Sequence, residues 1–122
     1  MFDYKPYVKS LVKYMLKNGY TKRPLPEIVL NTKKQDGVFI RTGHYEIGDN
    51  RVVLYIWGRH PKDVLRSLAH ELIHHKQFLE GRLDSEVCEE KHIINSEELL
   101  EYEEEAYLDG NIAFRSWTEQ YK

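Results

Sequence analysis

The stretch between Pro61 and Gly81 constrains the fold most, because both ends of a long helix are marked and its middle is apolar. Proline is favoured at the first helical position, where its missing N–H is not needed. Glycine is favoured just beyond the last turn, where the backbone often becomes left-handed. Apolar residues occupy the middle of the stretch: Leu68, Ala69, Leu72 and Ile73. The pattern therefore predicts one helix, ending near Glu80, that is substantially buried around its centre.

Strand-like segments lie before this helix and a further helix lies after it. Apolar residues at three-and-four spacing predict a first helix over residues 4–18. Short β-branched or aromatic runs predict strands at residues 27–30, 38–41, 45–47 and 51–57. Residues 83–94 are polar and mixed, which indicates a loop or one short helix. Strands gathered before helices indicate an α+β fold, with a small mixed sheet between an N-terminal helix and two later helices.

The last helix is predicted to begin at Asn95, whose side chain can cap the first turn. Glu98, three residues on, completes a capping box. The helical pattern continues past Ala106 toward Trp117, with a candidate break at Gly110.

Length and composition favour one globular domain over residues 1–122. A chain of 122 residues buries a single modest core, and 41% hydrophobic with 31% charged residues is typical of globular proteins. The net charge of −2 gives no reason to expect a nucleic-acid or anionic-membrane partner. Neither a signal-peptide pattern nor an apolar run of roughly 20 residues is seen. Cys88 is the only cysteine, so a reducing, cytoplasmic compartment fits best.

The central helix contains the pattern His70-Glu71-x-x-His74. Helical residues four apart share a face, so both imidazoles point to the same place. Two neutral histidines there can give two nitrogens to a tetrahedral zinc ion. Glu71 follows the first histidine, so it projects beside the metal and can act as a general base. The pattern predicts a zinc site with a base beside it.

The third zinc ligand is expected from the last helix, because zinc in a hydrolase usually has three protein ligands. A helical wheel predicts this apolar stripe: Tyr102, Ala106, Leu108, Ile112 and Ala113. Glu105 and Asp109 fall inside the stripe, and a buried carboxylate is costly unless it is paired or binds metal. We therefore expect Glu105 to be the third ligand and Asp109 to accept the second N–H of a zinc-bound histidine. Glu97, Glu103 and Glu104 are interpreted as a solvated face; the alternative extends that interpretation to Glu105.

These motifs resemble those of the gluzincins, zincins in which a glutamate ligand follows the HExxH helix. Glu105-Ala-Tyr-Leu-Asp109 matches the Glu-x-x-x-Asp pattern of that group, and its Glu-Ala step resembles small phage and bacterial metallopeptidases of the ImmA/IrrE type. The resemblance runs from the strand at Arg51 to the helix near Gly110. It implies a zincin-like fold, a peptide or protein substrate, and a strand at residues 51–57 that pairs with the extended substrate. The chain departs from larger gluzincins in having no second lobe, and it lacks the third histidine of metzincins.

Several other residues have roles that the pattern leaves open. The group that stabilises the oxyanion could be Tyr102, His92, Tyr55 or Arg115. Gln77 shares the face of the motif, where it either lines the cleft or closes an edge of the core. His75 points about 100° away from His74, which indicates a structural or exposed residue. His44, His60 and His92 reach the site only if the fold brings them there.

The leading hypothesis is zinc-dependent hydrolysis of peptide bonds. The alternative is a zinc-binding interaction module without catalytic activity, because metal binding by itself stabilises a small domain. Glu71 argues against the module, since a structural site needs no base beside the zinc. A third possibility is hydrolysis of a cell-wall amide, which the missing signal-peptide pattern disfavours.

Overall fold

The computed structural model describes residues 2–35, 42–82 and 97–121, and these form three helices and three strands. In chain order they are α1 (Lys5–Lys17), β1 (Glu27–Asn31), β2 (Gly43–Glu46), β3 (Arg51–Tyr55), α2 (Pro61–Leu79) and α3 (Glu97–Tyr121). The predicted α+β class is confirmed. The predicted strand at residues 38–41, the segment 83–94 and the cap at Asn95 lie outside the described residues. The candidate break at Gly110 is wrong, because α3 is helical throughout.

Helix α2 begins and ends where its sequence signals indicate. Pro61 is its first residue, and the His60 side chain caps it by accepting a hydrogen bond from the Lys62 backbone N–H. Gly81 has φ +77°, the left-handed conformation that a glycine adopts without strain. Its N–H donates to the Phe78 carbonyl, which satisfies one of the free carbonyls of the last turn.

The three strands form one sheet in the order β1-β3-β2. The central strand, β3, runs parallel to β1 and antiparallel to β2, so Val53 pairs with Val29 on one side and His44 on the other. The expectation that the strand beginning at Arg51 pairs with a substrate is therefore wrong, because both of its edges are occupied. Among the described strands, β2 has an edge on the side that β3 does not occupy.

Helix α2 lies at the centre of the molecule, between the sheet and the other two helices. Its fully buried residues include Leu68, Ala69 and Leu72. They belong to one cluster with side chains from β3, α1 and α3: Val52, Leu54, Leu11, Met15, Ala106, Ala113, Phe114 and Trp117. Burial of this apolar surface is the main stabilising contribution. The residues that carry the histidine motif thus lie on the helix that contributes most to the buried core.

Helix α3 packs on α2 through small residues. A Cβ built at Gly110 would lie 3.0 Å from the Cα atom and 3.1 Å from the backbone nitrogen of His70. The two backbones therefore meet at the first histidine of the motif, where only glycine leaves enough room. This contact fixes which face of α3 is turned toward α2.

The apolar stripe predicted for α3 is partly wrong. Tyr102, Ala106 and Ala113 are buried as expected, whereas Leu108 is 62% exposed and Ile112 is 43% exposed. The helical wheel placed the buried face by hydrophobicity alone, so large aliphatic residues counted as much as small ones. Close backbone approach at Gly110 instead turns the small residues inward and rotates the buried face of α3. No helix among the described residues is both long enough and apolar enough to cross a membrane.

Candidate metal centre

The motif on α2 brings its three functional side chains to one place. Potential ligand atoms of His70, Glu71 and His74 lie within 4.8 Å of one another. Glu71 and His74 are buried, and the His70 side chain is only 15% exposed. The local cause is helical spacing, which places residues one and four positions after His70 around the same point. The predicted grouping of these residues agrees with the geometry.

The carboxylate that meets both imidazoles belongs to Glu103. Its Oε1 lies 2.7 Å from His74 Nε2, and its Oε2 lies 3.5 Å from His70 Nε2. The interpretation of Glu103 as part of a solvated face is therefore wrong. The face of α3 that carries Glu103 is turned toward the motif by the close contact at Gly110.

The structure places Glu105 away from the imidazoles, contrary to its prediction as third ligand. Its carboxylate receives two hydrogen bonds from Arg82, at 2.6 and 3.0 Å, and one from Gln77 at 3.1 Å. The Arg82 guanidinium beside it lowers the pKa of Glu105. Two residues along a helix correspond to a rotation of about 200°, so Glu103 and Glu105 cannot serve the same point.

Asp109 does not perform the role predicted for it. His74 Nδ1 is hydrogen-bonded to Gln77 Oε1 at 2.8 Å instead. His70 Nδ1 is buried and has no hydrogen-bond partner within the described ranges. Asp109 lies six positions beyond Glu103, a rotation of about 240° around α3, so the face that meets the motif does not include it.

Charge and burial act against each other in this cluster. Burial alone would raise the pKa of Glu103, but its hydrogen bonds with the two histidines lower it overall. Burial alone would lower the pKa of His74, but Glu103 and Glu71 raise it overall. Burial raises the pKa of Glu71, although His74 and His70 act in the opposite direction. The acidic and basic groups thus stabilise each other's charged forms, although Glu71 and His74 are buried.

Gln77 determines which nitrogen of His74 faces Glu103. The Gln77 Nε2 atom lies 2.9 Å from the Tyr102 carbonyl oxygen and 3.1 Å from Glu105 Oε1, and both of these groups only accept. This end must therefore be the amide nitrogen, so the oxygen faces His74 Nδ1, which must donate. A neutral His74 consequently directs the lone pair of Nε2 toward Glu103.

This arrangement brings electron-pair donors together in the manner of a metal site. His74 Nε2 and Glu103 Oε1 are 2.7 Å apart, and a neutral imidazole with its proton on Nδ1 has no hydrogen to share there. Two electron-pair donors this close are stable only when a proton or a metal cation lies between them. Two imidazole nitrogens and one carboxylate form a ligand set that catalytic zinc sites use. The residues present therefore fit a zinc ion.

A cleft of about 800 Å³ opens onto the motif. One wall is β2, where Gly43 lies close enough that an added Cβ would be 3.8 Å from Glu71 Cγ. The other wall is α3, which contributes Tyr107 and Asn111, and the early turns of α2 form the far end with Asp63, Arg66 and Ser67. Glu71 thus has access to a molecule bound along β2.

The candidate oxyanion stabilisers fall in different places. Tyr102 is buried beside Arg82 and does not line the cleft, and Arg115 is exposed and paired with Glu119. The Tyr55 hydroxyl is hydrogen-bonded to His44 Nδ1 at 3.2 Å. His92 lies outside the described residues.

Sequence reasoning missed Tyr107. Its ring centroid lies 4.4 Å from that of His70, and it lines the cleft while remaining 61% exposed. Tyr107 lies one helical turn after Glu103, so identifying Glu103 as a ligand would have identified Tyr107 as its neighbour. The helical wheel placed Glu105 on the buried face and therefore put Glu103 and Tyr107 outside the predicted site.

The other histidines in the described part of the chain have contacts of their own. His75 is fully buried and bridges the Pro24 carbonyl and the Tyr45 hydroxyl, which agrees with a structural role. His44 lines the cleft, but its ring nitrogens contact Glu46 and Tyr55. His60 caps α2 and does not line the cleft.

Searches against protein-family models, curated proteins and solved structures found no match to this chain.

Proposed function

We propose that this chain is a zinc-dependent metallopeptidase with a zincin-like arrangement of its site. His70, His74 and Glu103 would hold the zinc, and Glu71 would be the general base. The observation that carries the proposal is the contact of Glu103 with both imidazoles while Gln77 holds the Nδ1 proton of His74. The single cysteine favours a reducing compartment such as the cytoplasm.

Zinc, when bound, polarises a peptide carbonyl and lowers the pKa of water from about 16 to about 7. Glu71 lines the cleft beside the two histidines, and its carboxylate is close enough to them to reach a metal-bound water. Its carboxylate can take the proton from the attacking water and later give it to the leaving amine. The Tyr107 hydroxyl can donate a hydrogen bond to the oxyanion that forms on the carbonyl.

The substrate class that suits the cleft is an extended peptide. Among the described strands none pairs with the edge of β2 that faces away from β3; β2 lies beside the motif, and residues 42–45 line the cleft. An extended chain added to this edge gains main-chain hydrogen bonds without requiring a particular sequence. The backbone of a peptide bound there would pass Glu71. The strand that pairs with substrate would then be β2 and not β3.

The test is Glu71→Gln, which keeps the size of the side chain but cannot accept a proton at neutral pH. Zinc content and melting temperature should stay near wild type, because Glu71 is not a ligand. Cleavage should fall by at least roughly 100-fold, the lower end of what a general base contributes. A mixture of unfolded proteins, read by mass spectrometry with and without chelator, is the first substrate.

Equal products from wild type and Glu71→Gln would contradict the peptidase. Stoichiometric zinc binding with no cleavage by the wild type would instead support the zinc-binding interaction module. Loss of zinc from Glu71→Gln would show that Glu71 coordinates the metal.

A further inference from the structure

A chain of hydrogen bonds runs from His74, on the side away from the cleft, to the end of α2 and to α3. Its members are Gln77, Glu105 and Arg82. We propose that Gln77 and Glu105 form a positioning relay that sets the zinc affinity of His74. The inference rests on the metal site of the proposed function, but it does not require that the protein cleaves peptides.

Gln77 has one arrangement that satisfies its whole amide. The residue is fully buried, so each unpaired polar atom would be costly. Its oxygen accepts from His74 Nδ1, and its two N–H groups donate to the Tyr102 carbonyl and to Glu105. A flipped amide would turn its oxygen toward the Tyr102 carbonyl and the Glu105 carboxylate, which only accept, so both of those hydrogen bonds would be lost. The ring orientation of His74 is therefore fixed together with the position of its proton.

Glu105 supplies the charge that makes this amide a stronger acceptor. An amide that donates to an anion is polarised, so its carbonyl oxygen becomes more negative. That oxygen then accepts the His74 N–H more strongly and makes the opposite nitrogen, Nε2, a better electron-pair donor. In many zinc sites a carboxylate contacts the histidine directly. Here the amide of Gln77 separates Glu105 from His74.

Arg82 holds the far end of the relay in place. Its guanidinium binds Glu105 through two nitrogens and also contacts Glu80, which pairs with Lys22. Neither Gln77, Glu105 nor Arg82 lines the cleft. These residues therefore do not contact a substrate in the cleft, and Gln77 reaches the site through its hydrogen bond to His74 Nδ1.

The experiment measures the zinc dissociation constant by competition with a chelator for Gln77→Leu, Glu105→Gln and the double variant. Gln77→Leu should weaken zinc binding roughly 10- to 100-fold, the range for partners of metal-bound histidines. Glu105→Gln should weaken it less, because the amide still accepts the His74 proton. The double variant should bind no more weakly than Gln77→Leu alone, because Glu105 acts through Gln77.

A matched control separates this role from general support of α2. Thr21 is buried, and its hydroxyl donates to the Leu72 carbonyl on the same helix. Thr21→Val should lower the melting temperature of the metal-free protein while leaving zinc affinity unchanged. Glu105→Gln, on a partly exposed side chain, should fold and report on the relay even if Gln77→Leu does not.

Wild-type zinc affinity in both Gln77→Leu and Glu105→Gln would overturn the relay. It would also be overturned if Glu105→Gln added its full effect in the Gln77→Leu background. A different result would contradict the proposed metal site itself: full zinc retention by His74→Ala. If the variants change zinc affinity as expected but the wild type cleaves no peptide, the relay is supported and only the peptidase proposal is contradicted.

Discussion

At the scale of single residues, Glu103 and Glu105 show how two nearby carboxylates acquire different partners. Glu103 contacts both motif histidines, whereas Glu105 is bound by Arg82 and Gln77. Their separation of two residues on a helix turns them to nearly opposite sides. The same chemical group therefore becomes a candidate ligand in one position and a candidate partner of Gln77 in the other.

The first prediction compares Glu103→Ala with Glu105→Ala. Removing a ligand should weaken zinc binding by more than about 100-fold, beyond the range for residues behind the ligands. Glu105→Ala should have a smaller effect, and Glu104→Ala on the same helix should bind zinc as the wild type does. Chelator competition on folded protein measures all three. A larger loss in Glu105→Ala than in Glu103→Ala would restore Glu105 as the ligand.

The second prediction concerns the hydroxyl of Tyr107. Tyr107→Phe keeps the ring against His70 but removes the donor, so kcat should fall roughly 100-fold while KM and zinc content change little. Tyr14→Phe removes a hydroxyl on α1, where Tyr14 stacks on Tyr20, and should not change kcat. Steady-state kinetics on the same peptide make the comparison. An unchanged kcat in Tyr107→Phe would assign the oxyanion to another donor.

At the scale of elements, the crossing of α2 and α3 decides whether a site forms. The crossing brings Gly110 against the backbone of His70, and it brings Glu103 to the imidazoles less than two turns earlier on α3. Helix propensity works against glycine at this position by about 1 kcal/mol relative to alanine. The close approach of two backbones offsets that cost.

The third prediction is that Gly110→Val destabilises the metal-free protein by about 1–3 kcal/mol, because the added atoms meet backbone that cannot move aside. Better helix propensity recovers less than about 1 kcal/mol, so the clash dominates. Zinc binding should weaken as well, since α3 carries Glu103. Urea unfolding measures the stability, with Glu104→Val on the exposed side of α3 as the control. A Gly110→Val protein as stable as wild type would show that the helices do not need this contact.

At the scale of the whole molecule, the proposed site would couple metal binding to folding, because its candidate ligands come from two helices. Only the folded chain brings α2 and α3 together, so zinc held by the proposed ligands would bind the native state in preference to the unfolded one. At a free concentration 100 times the dissociation constant, such binding adds about 2.7 kcal/mol. The stabilisation is shared by the whole domain, since α2 lies at its centre.

The fourth prediction is that zinc at this concentration raises the melting temperature by roughly 10 °C, from the expected entropy of unfolding for a domain of this size. The chelator EDTA should reverse the shift, and Mg²⁺ should not reproduce it, because its preferred ligands are oxygens. His70→Ala and His74→Ala should show little or no shift. A full shift in both variants would place the zinc elsewhere.

The motif on α2 could be predicted from the sequence because its geometry is local. The ends of the helix are marked by Pro61 and Gly81, and the four-residue spacing of the histidines places them on one face of any α-helix. The grouping of His70, Glu71 and His74 follows from backbone geometry and needs no information about the rest of the chain. The α+β class follows in the same way from the order of local patterns.

The rest of the site depends on contacts between elements that are distant in sequence. The rotation of α3 is set by Gly110 against His70, and a helical wheel that weighs Leu108 and Ile112 by hydrophobicity gives a different face. That rotation selects Glu103 instead of Glu105 and brings Tyr107 to the cleft. Strand order is equally non-local, so only the sheet shows that β3 is central and that β2 is one of its two edges among the described strands. Local spacing determined the grouping of the two histidines with Glu71. Tertiary packing decided which residues meet them, because helix rotation and strand order depend on the whole core.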